Sequence, residues 1–316
     1  VSWDGVAAAA RKAERLGFDS VWVSDHFFLS RARYGGPSEP SGSAEPLTTL
    51  AGLAAVTDRV RLGTLVLGAG FRHPATLAKS AVTIDLASDG RLELGLGAGW
   101  YEDEYRAFGY RFASTGERFE LLEETLEVLS LLFGEEEPVS WKGKHFTLDG
   151  AYCHPRPAQA PRPPLWIGGK GGPRLLRLVA RLADGWNTVW AWTPGEYAGR
   201  ARDLDEACRR EGREPADVRR TVGLYAVVGE DEADLRRRWG AVASRSPAGL
   251  DGEDPHGWGR DKLVGTPDQV LERLGEFARL GVEEMIVSIG PLPFAIADEE
   301  MVDLLAERVI PGAREL

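Results

Sequence analysis

The sequence contains little cysteine: Cys153 and Cys208 are the two cysteines among its 316 residues. So few thiols exclude a disulfide framework as the main source of stability, and a reducing, cytoplasmic setting is the simplest interpretation. Long apolar runs are also missing, since none approaches the roughly 18 residues that a membrane-spanning helix needs. Residues 1–4 resemble neither a signal peptide nor a start methionine, so we expect a trimmed N-terminus and no membrane partner.

Basic residues are in deficit, because 38 lysines and arginines stand against 49 aspartates and glutamates, for a formal net charge of −11. A protein that binds a phosphate backbone is expected to carry the opposite sign, so nucleic acid is not an expected partner. The five histidines show no paired ligand spacing, so no metal site is expected. A serine nucleophile elbow and a cysteine–histidine signature are absent as well. The overall composition, with 43% hydrophobic and 28% charged residues, is that of a soluble globular protein.

The sequence does contain a regular alternation of apolar runs and amphipathic stretches. The apolar runs predict buried strands at 21–24, 60–67, 92–97, 165–167, 186–190, 221–228 and 285–289. Helical periodicity predicts helices at 6–16, 47–56, 74–86, 119–133, 173–182 and 270–280. Such alternation in a chain above 250 residues favours a parallel (β/α)₈ TIM barrel over a doubly wound sheet. Seven strands rather than eight are predicted, so we expect the first strand of the barrel to be absent from this sequence.

We predict a single domain over residues 1–316, with an insertion at about 134–164 and a long loop at about 245–265. The insertion is rich in proline and glycine and contains a predicted hairpin around residues 144–148. The long loop is either a lid or binding loop, or a surface excursion without a function.

Local signals predict several helix boundaries. Thr266 and Gln269 have the spacing of a capping box at the start of a helix. Gly17 and Gly281 each follow a helical stretch and precede an apolar run, which is typical of a helix end before the chain re-enters a sheet.

Candidate functional residues are expected just after the C-terminal ends of the strands, because the βα loops of a parallel barrel converge there. Asp25 and His26 follow the first predicted strand. Imidazole exchanges a proton near neutral pH, and a neighbouring carboxylate could orient it or a ligand. The alternative is a structural hydrogen bond without a catalytic role.

Glycine-rich turns follow two later strands. Gly95, Gly97 and Gly99 resemble a dinucleotide fingerprint only superficially, because their spacing is G-x-G-x-G and no acidic residue follows a second strand at the required distance. The run Gly168-Gly169-Lys170-Gly171-Gly172 comes directly before a predicted helix, where backbone N–H groups, the helix dipole and one lysine suit a phosphate. At the end of the following strand, Trp190 either stacks on a heteroaromatic ring or packs in the core.

The sequence resembles the bacterial luciferase-like monooxygenase superfamily, and most closely its actinobacterial coenzyme F420-dependent oxidoreductases. Four runs carry the resemblance: 17–28 (GFDSVWVSDHFF), 45–79, 90–105 (GRLELGLGAGWYEDEY) and 164–187. The resemblance extends over nearly the whole chain, from Ser2 to about Ile289, and the ordered set of motifs is specific for the superfamily but not for a substrate. The resemblance implies a (β/α)₈ barrel with insertions, whose first strand would precede Ser2.

The resemblance also implies a set of residues that hold the cofactor. These are Asp25, Thr64, Leu65, Val66, Gly97, Gly99, Gly168, Gly169, Lys170, Gly171 and Gly172. Asp25 would contact the deazaflavin ring, and a non-proline cis peptide between Leu65 and Val66 would lie against its back. Gly97 and Gly99 would lie under the cofactor tail, and the turn at 168–172 would bind its phosphate.

The implied catalytic residue is His26, which would face the ring and the substrate as the proton-transfer group. Trp100 and Trp190 would face the substrate. Trp100 stands where the sugar-phosphate dehydrogenases of the family carry glutamate, so glucose 6-phosphate is not the expected substrate.

The expected function is that of an F420-dependent oxidoreductase that transfers a hydride between C5 of the deazaflavin and an organic, small-molecule substrate. One alternative is a two-component monooxygenase that uses reduced FMN and O₂, since the same barrel serves both cofactors. A second is a flavin-binding protein without turnover, against which the intact Asp25-His26 pair argues. Whether the chain forms a homodimer stays open.

Overall fold

A curled parallel sheet flanked by helices dominates this computed structural model, which describes residues 2–30, 32, 38–134, 136–244, 254–290 and 298–316. The strands are β1 (Ser20–Val23), β2 (Leu29–Ser30), β3 (Pro40–Ser41), β4 (Arg61–Thr64), β5 (Leu67–Gly68), β6 (Leu92–Gly97), β7 (Val139–Lys142), β8 (Thr147–Ala151), β9 (Leu165–Gly168), β10 (Gly185–Trp190), β11 (Arg219–Val228), β12 (Leu263–Gly265) and β13 (Glu284–Ile289). The helices are α1 (Trp3–Arg15), α2 (Pro46–Ala54), α3 (Pro74–Ala87), α4 (Glu102–Ala107), α5 (Thr115–Phe133), α6 (Pro173–Leu182), α7 (Pro194–Arg210), α8 (Glu232–Ala243), α9 (Pro255–Trp258), α10 (Pro267–Ala278), α11 (Glu299–Leu304) and α12 (Ile310–Ala313).

The main sheet runs in the order β1-β4-β6-β9-β10-β11-β13, with β5 beside β6 and β12 beside the end of β11. Every pairing in this sheet is parallel, which confirms the predicted α/β class and the barrel-like arrangement. All seven predicted strands are present, and the run at 60–67 is divided into β4 and β5. β1 and β13 are the two edges, and no strand of the described ranges lies between them.

The central strands are buried on both faces, because helices cover one side and the barrel interior covers the other. All six residues of β6 are buried, as are nine of the ten in β11. Glycines in the sheet make room for indole rings: a Cβ on Gly63 would lie 2.1 Å from the Trp22 ring, and one on Gly185 would lie 2.2 Å from Trp166. At these two places in the sheet, the absence of a side chain on the glycine is what lets an indole ring pack in the core.

The amino ends of the strands close the barrel with a polar cluster. Glu93 is 2% exposed and accepts a hydrogen bond of 2.6 Å from the indole nitrogen of Trp166. It also pairs with Arg61, and the guanidinium of Arg219 lies 4.8 Å from the Trp166 ring centre. Because this end is filled by side chains, a ligand has room at the opposite, carboxyl end of the strands.

The helix boundaries agree with the local signals in the sequence. The capping box of α10 is present, with the Thr266 amide donating to Gln269 Oε1 at 2.8 Å. Gly17 and Gly281 have φ angles of 86° and 82°, the left-handed conformation that ends a helix without a Cβ clash.

The insertion contains the predicted hairpin, since β7 and β8 pair in antiparallel fashion. Of the predicted long loop, residues 245–253 lie outside the described residues. The remainder is not a bare loop, because it contains α9, a short 3₁₀ turn and β12. No helix in the described ranges is both long and apolar enough to span a bilayer.

Six helices were not predicted from the sequence: α4, α7, α8, α9, α11 and α12. The signal for α7 was present, because its buried residues, Tyr197, Ala201, Leu204 and Cys208, recur every three or four positions. α4 has six residues and begins with three acids, so it gives no apolar period that could be recognised.

Candidate active site

A cavity of about 1,700 Å³ opens at the carboxyl ends of the strands and continues along the gap between β1 and β13. Most of the predicted site residues line it: Asp25, His26, Leu65, Val66, Gly97, Gly99, Trp100, Gly168, Gly169, Lys170 and Trp190. Thr64, Gly171 and Gly172 are not part of this lining. Part of this volume lies in the gap between β1 and β13, so the space at the carboxyl ends of the strands, where ligands bind in a parallel barrel, is smaller than the whole cavity.

His26 is held by a buried carboxylate on a neighbouring element. Its Nδ1 lies 2.8 Å from Oε1 of Glu104, which belongs to α4 and whose side chain is 1% exposed. The same oxygen accepts the amide N–H of Phe28 at 3.3 Å. A carboxylate in this position fixes the ring orientation and stabilises the protonated imidazole. The arrangement is therefore suited to moving a proton at the other ring nitrogen.

Asp25 has a different role from the one that its position beside His26 suggests. Its carboxylate accepts two hydrogen bonds from Arg72, of 2.6 and 2.9 Å, and one of 2.9 Å from the Gly68 amide. Burial alone would lower the pKa of Arg72, but the carboxylates of Asp25 and Glu45 outweigh it and raise that pKa. Asp25 thus fixes the end of β5 and the segment that follows it, and the carboxylate that contacts His26 is that of Glu104.

Thr64, expected among the cofactor contacts, is fully buried and ties two strands together. Its hydroxyl donates to the Gly95 carbonyl at 2.9 Å and accepts the Gly95 amide at 2.8 Å. Both bonds are made to β6, and Thr64 is not among the residues that line the cavity, so its contact with the cofactor stays a prediction. The next peptide bond, Leu65–Val66, is cis, as the resemblance implied.

The Val66 side chain occupies the space that three glycines leave open. A Cβ on Gly95, Gly97 or Gly168 would lie 2.8, 2.9 or 2.7 Å from a methyl group of Val66. Gly97 and Gly168 line the cavity. Packing already explains why both are glycines, because a Cβ at either position would clash with the Val66 side chain. The glycines therefore shape the cavity wall through packing, whatever they also contact in a bound ligand.

The glycine turn, residues 168–172, joins β9 to α6. Lys170 within it lines the cavity, and its ammonium donates to the Ala191 carbonyl at 3.2 Å. The same ammonium lies 4.5 Å from the centre of the Trp192 ring, and its burial there lowers the pKa of Lys170. The positive charge is thus held at the rim of the cavity.

The two glycines at the end of this turn differ in what surrounds them. Gly171 has φ 78°, and a Cβ there would lie 3.0 Å from Trp186. Gly172 is the N-cap residue of α6, and a Cβ on it would meet nothing within 4 Å. The fold does not need a glycine at 172, and the first N–H groups of a helix have no partner within the helix. This position is consistent with the predicted phosphate seat.

The two tryptophans predicted to face the substrate both line the cavity. Trp100 is 50% exposed at the rim, and its ring lies edge-on to His26 with the ring centres 5.6 Å apart. Trp190 lies deeper and stacks on Tyr225 with ring centres 5.1 Å apart. Trp190 therefore takes part in aromatic packing, and it also faces the cavity, where stacking on a ligand ring stays a prediction.

The cavity residues that were not predicted from the sequence include Glu104, Tyr105 and Arg118. Glu104 and Tyr105 lie on the unpredicted helix α4, and Arg118 lies in the first turn of α5. The available signal was the acidic run after β6, at the carboxyl end of a strand where ligands bind. In the described part of the chain, no three His, Cys, Asp or Glu side chains are grouped so that they could hold a metal ion.

A parallel sheet that curls around its core, with a large cavity and an imidazole–carboxylate pair at the carboxyl ends of its strands, defines an enzyme of the α/β-barrel class. The chain belongs to the luciferase-like monooxygenase family, whose model matches residues 1–284. The family predicted from the sequence motifs is confirmed.

Curated relatives give the chemistry of the class. The F420-dependent glucose-6-phosphate dehydrogenase of Microbacterium testaceum (strain StLB037) is 29% identical over 321 residues, which cover 96% of this chain and 91% of the relative. The phthiodiolone/phenolphthiodiolone dimycocerosates ketoreductase of Mycobacterium tuberculosis (strain ATCC 25618 / H37Rv) is 30% identical over 252 residues, or 75% of this chain. Those residues are 65% of the ketoreductase's length. Both relatives are oxidoreductases, and this chain is an oxidoreductase.

Solved structures agree with the fold. An F420-dependent secondary alcohol dehydrogenase, in complex with an F420-acetone adduct, superimposes with a TM-score of 0.79 at 22% identity and covers 99% of this chain and 96% of its own. The monooxygenase RslO1 from Streptomyces bottropensis superimposes with a TM-score of 0.77 at 26% identity, covering 98% of this chain and 93% of its own. These similarities extend over the whole barrel.

Proposed function

We propose that this chain is an F420-dependent oxidoreductase that interconverts a carbonyl and an alcohol in an organic substrate. The observation that carries the proposal is the His26–Glu104 pair on the wall of the cavity at the carboxyl ends of the strands. The F420-dependent relative, which matches almost the whole chain, supports the choice of cofactor.

The residues present fit a cofactor with a flat ring and a charged tail. The cavity has room for the ring beside the Leu65–Val66 wall, and Lys170 supplies a positive charge at its rim. Gly172 leaves open space at the N-terminus of α6, where an anion is stabilised by the helix dipole. The wall also carries a buried tyrosine hydroxyl, that of Tyr105, with no protein partner in the described residues. Each of these features suits a bound ligand better than an empty cavity.

The cofactor, when bound, supplies a hydride donor or acceptor at C5 of its ring. His26 then holds or releases the proton of the substrate oxygen at Nε2, because Nδ1 is bonded to Glu104. Glu104 keeps the imidazole in one orientation and stabilises it while it is protonated. Trp100 and Tyr101 place aromatic edges beside the imidazole and limit the access of water.

The surroundings of His26 favour a substrate with apolar groups next to the reacting carbon. The aromatic rings of Trp100, Tyr101 and Trp190 line this side of the cavity. A phosphorylated sugar would need cations there, and Trp100 replaces the glutamate of the sugar-phosphate dehydrogenases. We therefore propose apolar secondary alcohols and ketones, rather than glucose 6-phosphate, as the substrate class.

A side-by-side titration tests the choice of cofactor. We expect F420 to bind more tightly than FMN when each is followed by its fluorescence under the same conditions. The reason is the similarity of almost the whole chain to an F420-dependent relative. FMN binding of equal or greater affinity would overturn the proposal.

The glycine turn provides a second test. Lys170→Ala is expected to weaken F420 binding about fivefold, and less at high salt, because the lost charge is screened over about 10 Å at 0.1 M salt. Gly172→Val is expected to weaken it by about tenfold or more, because its side chain fills the space proposed for the phosphate. The melting temperature should change little, since a Cβ at 172 contacts nothing. If both variants bind F420 as tightly as the parent protein does, the tail of the cofactor lies elsewhere.

The second candidate function is a two-component monooxygenase that uses reduced FMN and O₂. The similarity to RslO1 over 98% of the chain favours it. Substrate-dependent oxygen consumption with reduced FMN, and none with reduced F420, would select this alternative. A flavin-binding protein without turnover would bind a cofactor and convert no alcohol or ketone.

A further inference from the structure

Aromatic side chains form a continuous series of contacts from the imidazole of His26 to the protein surface. Tyr101 lies edge-on to His26 with ring centres 6.3 Å apart, and Phe28 lies edge-on to Tyr101 at 6.0 Å. Phe108 follows at 6.3 Å from Phe28, and these two phenylalanines are not part of the cavity lining. The series therefore starts at the residue proposed to handle the substrate proton and leads out of the cavity.

The outer end of this series is exposed to solvent. Phe108 is 56% exposed and Tyr110 is 37% exposed. Phe27 contacts both, with ring centres 4.5 Å from Phe108 and 6.0 Å from Tyr110. We call Phe27, Phe28, Phe108 and Tyr110 the aromatic patch. Single exposed apolar residues are ordinary, but a contiguous apolar surface is typical of a binding site.

Exposure of large apolar side chains is concentrated at this place. In the part of the chain that the structure describes, the large apolar side chains that are exposed are Trp3, Leu86, Trp100, Phe108, Tyr110, Leu131, Tyr152 and Leu316. Three of these eight lie within residues 100–110, beside the cavity. The aromatic patch is therefore a local feature of the cavity entrance and not a sample of an apolar surface.

The charged residues next to the aromatic patch are paired with one another. Glu102 pairs with Arg106 at 2.7 Å, and Arg111 pairs with Glu117 at 2.9 Å. Because both arginines are already neutralised, a charged ligand group would gain little from them. The patch thus favours an uncharged, apolar group, which gains by leaving water.

We propose that the aromatic patch is a subsite for an extended, uncharged apolar chain of the substrate, whose reacting carbon lies at His26. The proposal rests on the proposed function, because it assigns the patch to the substrate of that site. It narrows the substrate class to ketones and alcohols with a chain long enough to leave the cavity. Contacts far from the reacting carbon, made equally in the ground state and the transition state, lower KM and leave kcat almost unchanged.

A series of methyl ketones, from butanone to undecanone, tests the subsite in the parent protein. Each ketone is reduced with reduced F420, and the appearance of oxidised F420 is followed. We expect kcat/KM for undecanone to exceed that for butanone by about tenfold or more, mainly through KM, because each added CH₂ group is removed from water.

Phe108→Ser should decrease this ratio of the two kcat/KM values about fivefold, and Phe108→Leu should retain most of it, because leucine keeps an apolar surface. Phe108 ends α4, the helix that carries Glu104, so a disturbed His26–Glu104 pair would slow both ketones and cancel in the ratio. Tyr152→Ser is the matched control. Tyr152 is 61% exposed, follows β8 and is not part of the cavity lining, so its variant should keep the parent's ratio.

The outcomes separate the subsite from the proposed function. If the parent reduces butanone and undecanone with equal kcat/KM, or if Phe108→Ser keeps the parent's ratio, the subsite is wrong and the proposed function stands. A Phe108→Ser variant that keeps the ratio but changes the sedimentation coefficient would assign the patch to a contact between copies of the chain. If the parent reduces none of the ketones with reduced F420, the proposed function fails, and the substrate subsite fails with it.

Discussion

His26→Ala is expected to lower turnover about 100-fold or more, while the dissociation constant of the cofactor changes little. The imidazole is bonded to Glu104 through Nδ1 and lines the cavity, so its removal takes away the group that handles the substrate proton. The turnover number at saturating cofactor, together with a fluorescence titration of the cofactor, measures the two quantities separately.

His256→Ala is the matched control for this variant. His256 is also paired with a glutamate, Glu232, at 2.9 Å, but it lies on α9 and is not part of the cavity lining. Unchanged turnover in the His26 variant would mean that His26 packs against the ligand and transfers no proton. Equal losses in the two variants would point to a general loss of structure.

The second large effect is expected for Glu104→Gln, which should lower turnover by about 10- to 100-fold. The amide carries no charge to stabilise the protonated imidazole, and its NH₂ group can face Nδ1 and favour the other tautomer. If Glu104 acts through His26, adding Glu104→Gln to the His26→Ala variant should cost little further activity. The measurement is the turnover number of the two single variants and the double variant.

Glu102→Gln is the control for this cycle, because Glu102 lies on the same helix but points to solvent, where it pairs with Arg106. Its turnover should equal that of the parent. If the losses of turnover in Glu104→Gln and His26→Ala are additive in the double variant, the carboxylate works independently of the imidazole. That result would leave Glu104 as a residue that stabilises α4.

The fold was predictable from the sequence to the extent that each element carried its own periodicity. The central strands are buried on both faces and read as unbroken apolar runs, and α6 carries a clear apolar face. The helix α4 was missed because it is short and begins with acids. The strand β5 was hidden because it continues the apolar run of β4 and is separated from it by a change in backbone direction.

The site was predictable as a location but not as a set of contacts. The rule that ligands bind at the carboxyl ends of parallel strands selected Asp25, His26 and Lys170 correctly as cavity residues. It could not show that His26 contacts Glu104, which lies 78 positions away, and does not pair with its sequence neighbour Asp25. Two adjacent residues on a strand end point to different sides, so neighbours in sequence are often not partners in space.

The packing of Val66 against Gly97 and Gly168 has a consequence for how this enzyme can be altered. The three positions share one volume, since each glycine would bring a Cβ to within 3 Å of a Val66 methyl group. Gly95 is different, because a Cβ there would also lie 2.3 Å from the Thr64 carbonyl oxygen, which no change at residue 66 removes. A mutagenesis library that varies the three positions one at a time would score both glycines as intolerant. A library that reduces residue 66 to alanine while enlarging Gly97 or Gly168 would redistribute the same volume and move the cavity wall, so the three codons are best randomised jointly.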